Sequence, residues 1–248
     1  MKAVLLCAGF ATRLYPLTRD FPKPLLPVGE KPLVEHLVAQ MHATGRIGEI
    51  VVVANGCFEN HFASWIRELA PRLPGMSLEL LSDGAETNET RLGAVHDLLL
   101  AVERHALAAP LLVAGGDNLF RFRLSDFLDD HASRPRNLIL AYREPDLARR
   151  RRSGVAVLGP EGRVVRMEEK PEHPTGEHCC PPLYVFQADA LDDLARFASE
   201  HREADAPGTF VAWLASQRAV FAHEMRGSRL DVGDVETYRR AEAWLAGE

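Results

Sequence analysis

The feature that most constrains this chain is the order of its apolar runs. Short strand-like segments, "AVLLCA", "EIVVVAN", "LELLSD" and "PLLVAGG", alternate with stretches of helical period. These run from Pro32 to about Thr44, ended at Gly45, then across "FASWIRELA", then from about Thr90 to Arg104. Continuous apolar runs suit strands buried on both faces, and a helix between successive strands is the crossover of a parallel sheet. The pattern predicts a doubly wound α/β fold, whose ligands sit at the carboxyl ends of the strands. Both "CAGFATR" and "GGDNLF" fall at such ends. After Asp117 the strands shorten: "NLILAYR", "GVAVLGPEGRVVRMEEKP", turning at Glu161 and Gly162, and "PPLYVFQ" predict a mixed or antiparallel half. A last strand, "AVFAHEM", precedes a terminal helix that Asp234 is placed to cap. With no repeat or linker-like break, residues 1–248 are read as one domain with two lobes, about 1–120 and about 121–248.

The first run breaks into "GFATRLYPLTRDFPKPLLP". Gly9 frees the backbone, Pro22, Pro24 and Pro27 stiffen it, and Arg13, Arg19 and Lys23 line it with positive charge. The segment fits neither the dinucleotide fingerprint GxGxxG nor the P-loop. Alone it also reads as a structural turn with solvated charges. Backbone NH groups of Ala8, Gly9, Ala11 and Thr12, a fork-shaped cation in Arg13 and a point cation in Lys23 would together suit a polyphosphate. With a net charge of −6, the chain as a whole attracts neither nucleic acid nor an acidic membrane, so an anion site must be local. Cys7, Cys57, Cys179 and Cys180 form no CxxC pair and no zinc spacing, and are expected as reduced thiols of a cytoplasmic protein. The opening "MKAVLLCAG" is too short for an export signal, and no stretch approaches a membrane span.

Two acidic residues follow apolar strands at predicted sheet edges: Asp117 in "LLVAGGDNLF" and Asp231 in "GSRLDVGD". Singly, each reads as a cap or turn residue. Together they supply the one or two carboxylates that Mg²⁺ takes from a protein, its other ligands being phosphates and water. "MEEKP" sets Lys170 beside Glu168 and Glu169 at a strand end, where solvated ion pairs are the plainer reading.

These motifs, in this order, resemble the sugar-1-phosphate nucleotidylyltransferases. "LCAGFATRLYPLTRDFPKPLLPVGEKPLVEHL" looks like the family's opening signature, and "GGDNLF", "GVAVLGPEGRVVRMEEKP" and "LDVGDVETY" match its later segments over nearly the whole chain. The glucose-1-phosphate thymidylyltransferases are nearest in pattern. The resemblance implies a Rossmann-like mixed central sheet flanked by helices, with a nucleotide-binding lobe and a smaller sugar-phosphate lobe. It implies transfer of a nucleotidyl group from an NTP, dTTP or UTP favoured, to a sugar 1-phosphate, glucose 1-phosphate favoured, with Mg²⁺. By the family's pattern Arg13 holds the pyrophosphate portion and Lys23 serves phosphate charge at the reacting centre. Asp117 and Asp231 bind Mg²⁺, Lys170 meets the sugar phosphate, and Glu169 and Gly154 border the sugar. Base recognition is expected in "SDGAETNETRLGAVHD", through Asn88, Glu89 and the backbone at Leu92 and Gly93, although Asn88 or Thr90 equally fits a helix N-cap.

The chain departs from that pattern in several places. Ala11 replaces a glycine, and is expected to keep a negative φ. Arg91 stands where thymidylyltransferases carry a glycine against the base. "DAPGTFVAWL" replaces an arginine-bearing segment, and Ser153 replaces a tyrosine before Gly154. Arg149, Arg150, Arg151 and Arg152 are read as an exposed helix end binding its carbonyls rather than as a further phosphate site. Other acceptors, phosphocholine or heptose and amino-sugar 1-phosphates, would use the same chemistry. Choline needs an aromatic cage, for which Tyr142, Tyr184 and Phe186 are the local candidates. A non-catalytic nucleotide-sugar sensor would be expected to lose the charged residues that this chain retains. The assembly is left open between monomer and homodimer, and the chain reads as a minimal catalytic unit without a regulatory tail.

Overall fold

The strand-like runs of the first half pair side by side and in parallel. The computed structural model describes residues 1–247. In chain order the first half comprises β1 (Lys2–Leu6), β2 (Pro27–Val28), β3 (Lys31–Pro32), α1 (Leu33–Ala43), β4 (Glu49–Ala54), α2 (Glu59–Leu69), β5 (Ser77–Ser82), α3 (Ala94–Arg104) and β6 (Leu111–Gly115). Strands β6, β1, β4 and β5 are parallel neighbours, with Leu6 opposite both Gly115 and Val53. Their apolar side chains alternate between two cores: Ala3, Leu5, Ile50 and Val52 pack on one face, Val4, Val51 and Val53 on the other. Both faces being covered is why these strands read as unbroken apolar runs.

The second half comprises β7 (Asn118–Arg121), α4 (Leu124–Ser133), β8 (Asn137–Arg143), α5 (Leu147–Arg150), β9 (Gly154–Leu158), β10 (Val164–Glu169), β11 (His178–Cys179), β12 (Leu183–Phe186), α6 (Ala188–Glu200), α7 (Pro207–Gln217), β13 (Val220–Glu224), β14 (Ser228–Asp231) and α8 (Val235–Ala246). Strand β12 pairs antiparallel with β6 and extends the sheet in the order β10-β9-β11-β8-β12-β6-β1-β4-β5, with β13 alongside β8. One ten-stranded mixed sheet therefore runs through both predicted lobes. The β9–β10 hairpin turns at Glu161 and Gly162, both at positive φ, and Asp234 caps α8 in a capping box with Thr237, as expected.

A separate two-stranded ladder, β7 with β14, sets Asn118 opposite Asp231. A small third core of Leu14, Leu26, Val28, Leu33, Leu119, Val232 and Ala241 joins this ladder to the loop after β1 and to α8. That cluster makes one rigid support out of segments from both ends of the chain.

Two expectations are corrected. Helix α3 begins at Ala94, not near Thr90, because Gly93 at φ 90° turns the chain and the Ala94 amide donates to Asp205 O at 2.8 Å. Neither Asn88 nor Thr90 is its N-cap; Thr90 instead closes a local turn with Thr87. The backbone freedom expected of Gly9 is needed at Ala11, which sits at φ 49°, ψ 42° rather than at negative φ. Ala11 O accepts hydrogen bonds from Leu14 N at 2.9 Å and Thr18 Oγ1 at 2.8 Å, which hold the residue there. A left-handed non-glycine residue costs roughly 1–2 kcal/mol, partly cancelled in a glycine variant by the freer unfolded chain. Ala11→Gly should raise stability by about 0.5–1 kcal/mol, a Tm gain of roughly 1–4 °C in thermal unfolding. An unchanged or lower Tm would remove the strain at this position.

Candidate active site

The carboxyl ends of β1 and β6 open onto a shared cleft, and the loops that follow them carry the charged residues. After β1 the chain is tied to the sheet by Cys7 N donating to Val53 O at 2.8 Å and by the buried Asn55 Nδ2 donating to Ala8 O at 2.9 Å. Ala8 is buried, whereas Gly9, Thr12 and Arg13 are exposed, and the space a side chain would fill at Gly9 is open. Arg13 reaches towards the start of α8. The Asp234 carboxyl there is held below the usual range, first by hydrogen bonds from Thr237 and further by the charges of Arg13 and Arg152.

Lys23 lies at the start of a 3-10 turn between Pro22 and Pro24. Its Nζ donates to Asp117 Oδ2 at 2.7 Å and to Val232 O at 3.0 Å, so it bridges β6's loop and the end of β14. Asp117 Oδ1 accepts from Asn118 Nδ2 at 2.7 Å. Asn118 Oδ1 in turn accepts from Arg229 Nε, and Arg229 Nη2 reaches Asp231 Oδ2 at 2.9 Å. The structure thus brings Lys23, Asp117 and Asp231 together. Burial pushes the Asp117 carboxyl up, but the charges of Lys23 and Arg229 outweigh it and hold the group below the usual carboxylate range. Arg229 was missed in the sequence reading, yet its spacing of two from Asp231 on one strand puts both on the same face.

The second group lies around β9 and β10. Glu169, at the end of β10, pairs with Gly154, the first residue of β9, and its Oε2 is 2.9 Å from where a Cβ on Gly154 would sit. Gly208 approaches it even more closely: a Cβ there would lie 1.9 Å from the same oxygen. Gly208 lies in "DAPGTFVAWL", so the segment that departs from the family pattern forms the wall over Glu169. Burial raises the Glu169 carboxyl, opposed by Lys170. Lys170 is exposed at φ 46°, its Nζ 3.7 Å from Glu169 Oε1 and its amide donating to Ser153 O. Tyr184 and Phe186 are core residues at 1% exposure each, and so cannot form a cage around a trimethylammonium group. The arginines before Ser153 bind carbonyls of another loop, not their own helix end: Arg150 Nη1 donates to Gly176 O and Arg151 Nε to Glu172 O, both at 3.0 Å.

The expected base-reading segment, residues 83–93, forms an exposed loop. Glu89, Arg91 and Leu92 are exposed, Asn88 is half-buried, and Gly93 is buried against Asp205. Arg91 is turned sideways, donating to Asn88 O at 2.7 Å and to Asp205 Oδ2 at 3.2 Å. Beneath the loop, the half-buried Asp83 and the buried Asp97 act on each other's charge, and Asp83 Oδ1 accepts from Ala85 N at 2.8 Å. Burial, then the Asp83 charge, push Asp97 up to about 8. No reading of the sequence singled out this pair, because one member is an ordinary helix-face aspartate until the fold buries it.

A third acidic grouping, Glu49, Glu79 and His105, lies away from the cleft, at the other end of β4, where Lys2 already pairs with Glu49 at 2.8 Å. All four cysteines are unbridged, and among the described residues no helix is long and apolar enough to cross a membrane.

With the folded Asp97 group raised above its ordinary value, the native state holds a proton that the unfolded chain has released between about pH 4 and pH 8. Stability should therefore fall as pH rises through that window. Asp97→Asn is neutral in both states, so its Tm should exceed that of the wild type at pH 8, with the gap closing towards pH 5. Parallel Tm–pH curves for the two proteins would contradict the raised Asp97 carboxyl.

The chain matches the Nucleotidyl transferase family over residues 2–247. It is 28% identical over 249 residues to the UTP–glucose-1-phosphate uridylyltransferase AglF of Haloferax volcanii, covering all of this chain and 98% of that protein. It is 27% identical over 242 residues to mannose-1-phosphate guanylyltransferase 1 of Arabidopsis thaliana, covering 96% of this chain. The chain spans 63% of the length of that plant protein. A crystal structure assigned to a glucose-1-phosphate thymidylyltransferase of Bacillus anthracis, in complex with sucrose, superposes with a TM-score of 0.84 at 21% identity, covering 98% of this chain and 94% of that one. A UDP-glucose pyrophosphorylase complexed with UDP-glucose superposes at 0.83 and 18% identity, covering 100% and 99%. The fold is therefore that of these enzymes, and the chain belongs to the nucleotidyl transferase family.

Proposed function

We propose that this protein joins an NTP and a sugar 1-phosphate to give an NDP-sugar and pyrophosphate, with Mg²⁺ as its metal, dTTP or UTP as the favoured nucleotide and glucose 1-phosphate as the favoured acceptor. The observation that carries the reading is the convergence of Lys23, Asp117 and Asp231 at the carboxyl ends of the parallel strands. The uridylyltransferase relative, matched along nearly its whole length, supports the nucleotide and acceptor named.

In this reaction an oxygen of the sugar phosphate attacks the α-phosphorus in line, forming a P–O bond, while the bond to the β-phosphate breaks and pyrophosphate leaves with the electron pair. The nucleophile is already anionic near neutral pH, so no general base is needed. Barrier lowering comes from holding two repelling anions in line and neutralising charge on the transferred and departing phosphates. Arg13, exposed on the loop over the α8 N-terminus, is placed for the pyrophosphate portion. Lys23, drawn from Asp117 to the α-phosphate, neutralises the reacting centre. Lys170 meets the acceptor phosphate, and Glu169 accepts from sugar hydroxyls against the floor formed by Gly154 and Gly208.

Asp117 and Asp231 fit a Mg²⁺ ion by donor type, being hard oxygens on adjoining strand ends with phosphates left to complete the shell. When bound there, the ion would supply Lewis-acid charge to the phosphate oxygens.

The test is pyrophosphate release from dTTP, UTP, CTP, GTP or ATP against glucose, mannose, galactose and N-acetylglucosamine 1-phosphates, with and without Mg²⁺. A metal-dependent signal with dTTP or UTP and glucose 1-phosphate is expected; folded protein silent with every pair would overturn the reading. Lys23→Ala should lower kcat by about two to three orders of magnitude with Tm within a few degrees of wild type. A variant as fast as wild type removes Lys23 from the chemistry. Gly208→Ala places a methyl group against Glu169 at a helix position that otherwise tolerates alanine. Its acceptor KM should rise roughly tenfold while the NTP KM holds, and an unchanged acceptor KM would take Glu169 out of acceptor recognition.

A further inference from the structure

Arg229 is nearly sealed from solvent, its side chain 7% exposed, and all three arms of its guanidinium are engaged: Nε with Asn118 Oδ1 at 2.5 Å, Nη1 with Tyr142 OH at 3.2 Å and Nη2 with Asp231 Oδ2 at 2.9 Å. Lys23 engages the other carboxylate, 2.7 Å from Asp117 Oδ2. The carboxylates and their cations therefore cancel, two charges of each sign. The two cations differ in how they can leave. Arg229 is a planar fork fixed by three partners inside the protein, and reorienting it would break all three bonds. Lys23 is a point charge on a flexible stem whose polar partners among the described residues are Asp117 and Val232 O, and an incoming polyphosphate offers its ammonium group stronger anions.

We propose that Arg229 is a built-in counter-cation of the Asp117–Asp231 pair, so that these carboxylates take up a divalent cation only together with the nucleotide and not as the free ion. The inference rests on the reading of this pair as the metal site. In the nucleotide-free protein an approaching divalent ion meets no net negative charge, and must displace Lys23 or compete with Arg229 for Asp231 Oδ2. Nucleotide binding draws Lys23 to the phosphates. The pair is then left one charge negative, with Arg229 holding Asp231 by one oxygen and Asn118 holding Asp117, which leaves Asp117 Oδ2 and Asp231 Oδ1 for the ion. Arg229 is thus a positioning residue that also sets the order of arrival.

The experiment is a titration of the whole nucleotide-free protein with Mn²⁺ alone at pH 7.5, reading free Mn²⁺ by electron paramagnetic resonance and subtracting the binding that remains in Asp117→Asn. Wild type is expected to show no Asp117-dependent site below about 1 mM Mn²⁺. Arg229→Gln, which leaves the pair with net charge −1, should create one site at least about tenfold tighter. Tyr142→Phe deletes a neutral partner of Arg229 and should behave as wild type. Saturating UTP analogue with a non-cleavable α,β bridge should create the site in wild type.

A one-to-one site in the nucleotide-free wild type at tens of micromolar, or Arg229→Gln unchanged from wild type, overturns the proposal. If Arg229→Gln does not fold, Lys23→Gln makes the same change of charge and must tighten Mn²⁺ likewise; no tightening there overturns it too. Metal-independent pyrophosphate release would instead bring down the metal reading on which the proposal rests. Metal-dependent release with tight free-ion binding would bring down this proposal alone.

Discussion

Two carboxylates brought close together repel each other, and the surroundings of Asp117 and Asp231 are organised against that repulsion. Asp117 comes from the end of a central parallel strand, Asp231 from a strand near the other end of the chain, and the β7–β14 ladder holds them at adjoining register positions. The ladder is not part of the main sheet. It stands because Leu119 and Val232 pack with Leu14, Leu26 and Val28 from the opening loop and Ala241 from α8. The same cluster anchors the turn that carries Lys23, so apolar packing sets the distance at which the counter-charge acts. A surface ion pair of this kind would contribute little; here both cations are largely withdrawn from water and their partners are fixed by backbone pairing.

Much of this was legible in the sequence because it depended on local rules. Unbroken apolar runs at the right spacing announced the parallel strands, Glu161 and Gly162 announced the hairpin, and Asp234 announced the cap of α8. Asp117 was singled out for a topological reason, its place after a parallel strand end, and the fold brings Asp231 beside it through the β7–β14 ladder. What escaped depended on which residues the fold would press together. Gly208 looks like an ordinary helix-start glycine, and its role over Glu169 exists only once α7 lies against β10. Asp97 reads as a polar helix residue, and becomes a proton-bearing group only when burial and Asp83 close on it. Ala11 misled in the other direction. Sequence logic assigns positive φ to glycine, but two hydrogen bonds onto Ala11 O, from Leu14 N and Thr18 Oγ1, override the residue's own preference.

The departures from the family pattern also acquire physical content. The arginine-bearing stretch replaced by "DAPGTFVAWL" is not compensated by Arg150 or Arg151, whose guanidinium groups are committed to the carbonyls of Gly176 and Glu172. Of that run Arg152 is exposed and near enough for its charge to act on Asp234. Beside Glu169, exposed positive charge is carried by Lys170, while the Glu169 carboxylate is held tightly against Gly154 and Gly208. Exposed cations on flexible stems act over a range of positions, whereas a walled-in carboxylate reads one shape.

That wall is continuous with the loop of residues 83–93. Asp205 accepts the Ala94 amide through its carbonyl and Arg91 through its carboxylate, so the segment after α6 is bonded to both the start of α3 and the loop before it. A short step along the chain, Gly208 lies against the Glu169 carboxylate with no room for a methyl group. A close-packed contact transmits displacement because it cannot be compressed. Movement of residues 83–93 must then either break the Arg91–Asp205 pair, which is exposed and cheap to break, or carry the Asp205–Gly208 segment with it and shift the wall over Glu169. The loop of residues 83–93 and the Glu169 carboxylate are thereby joined through one short stretch of backbone.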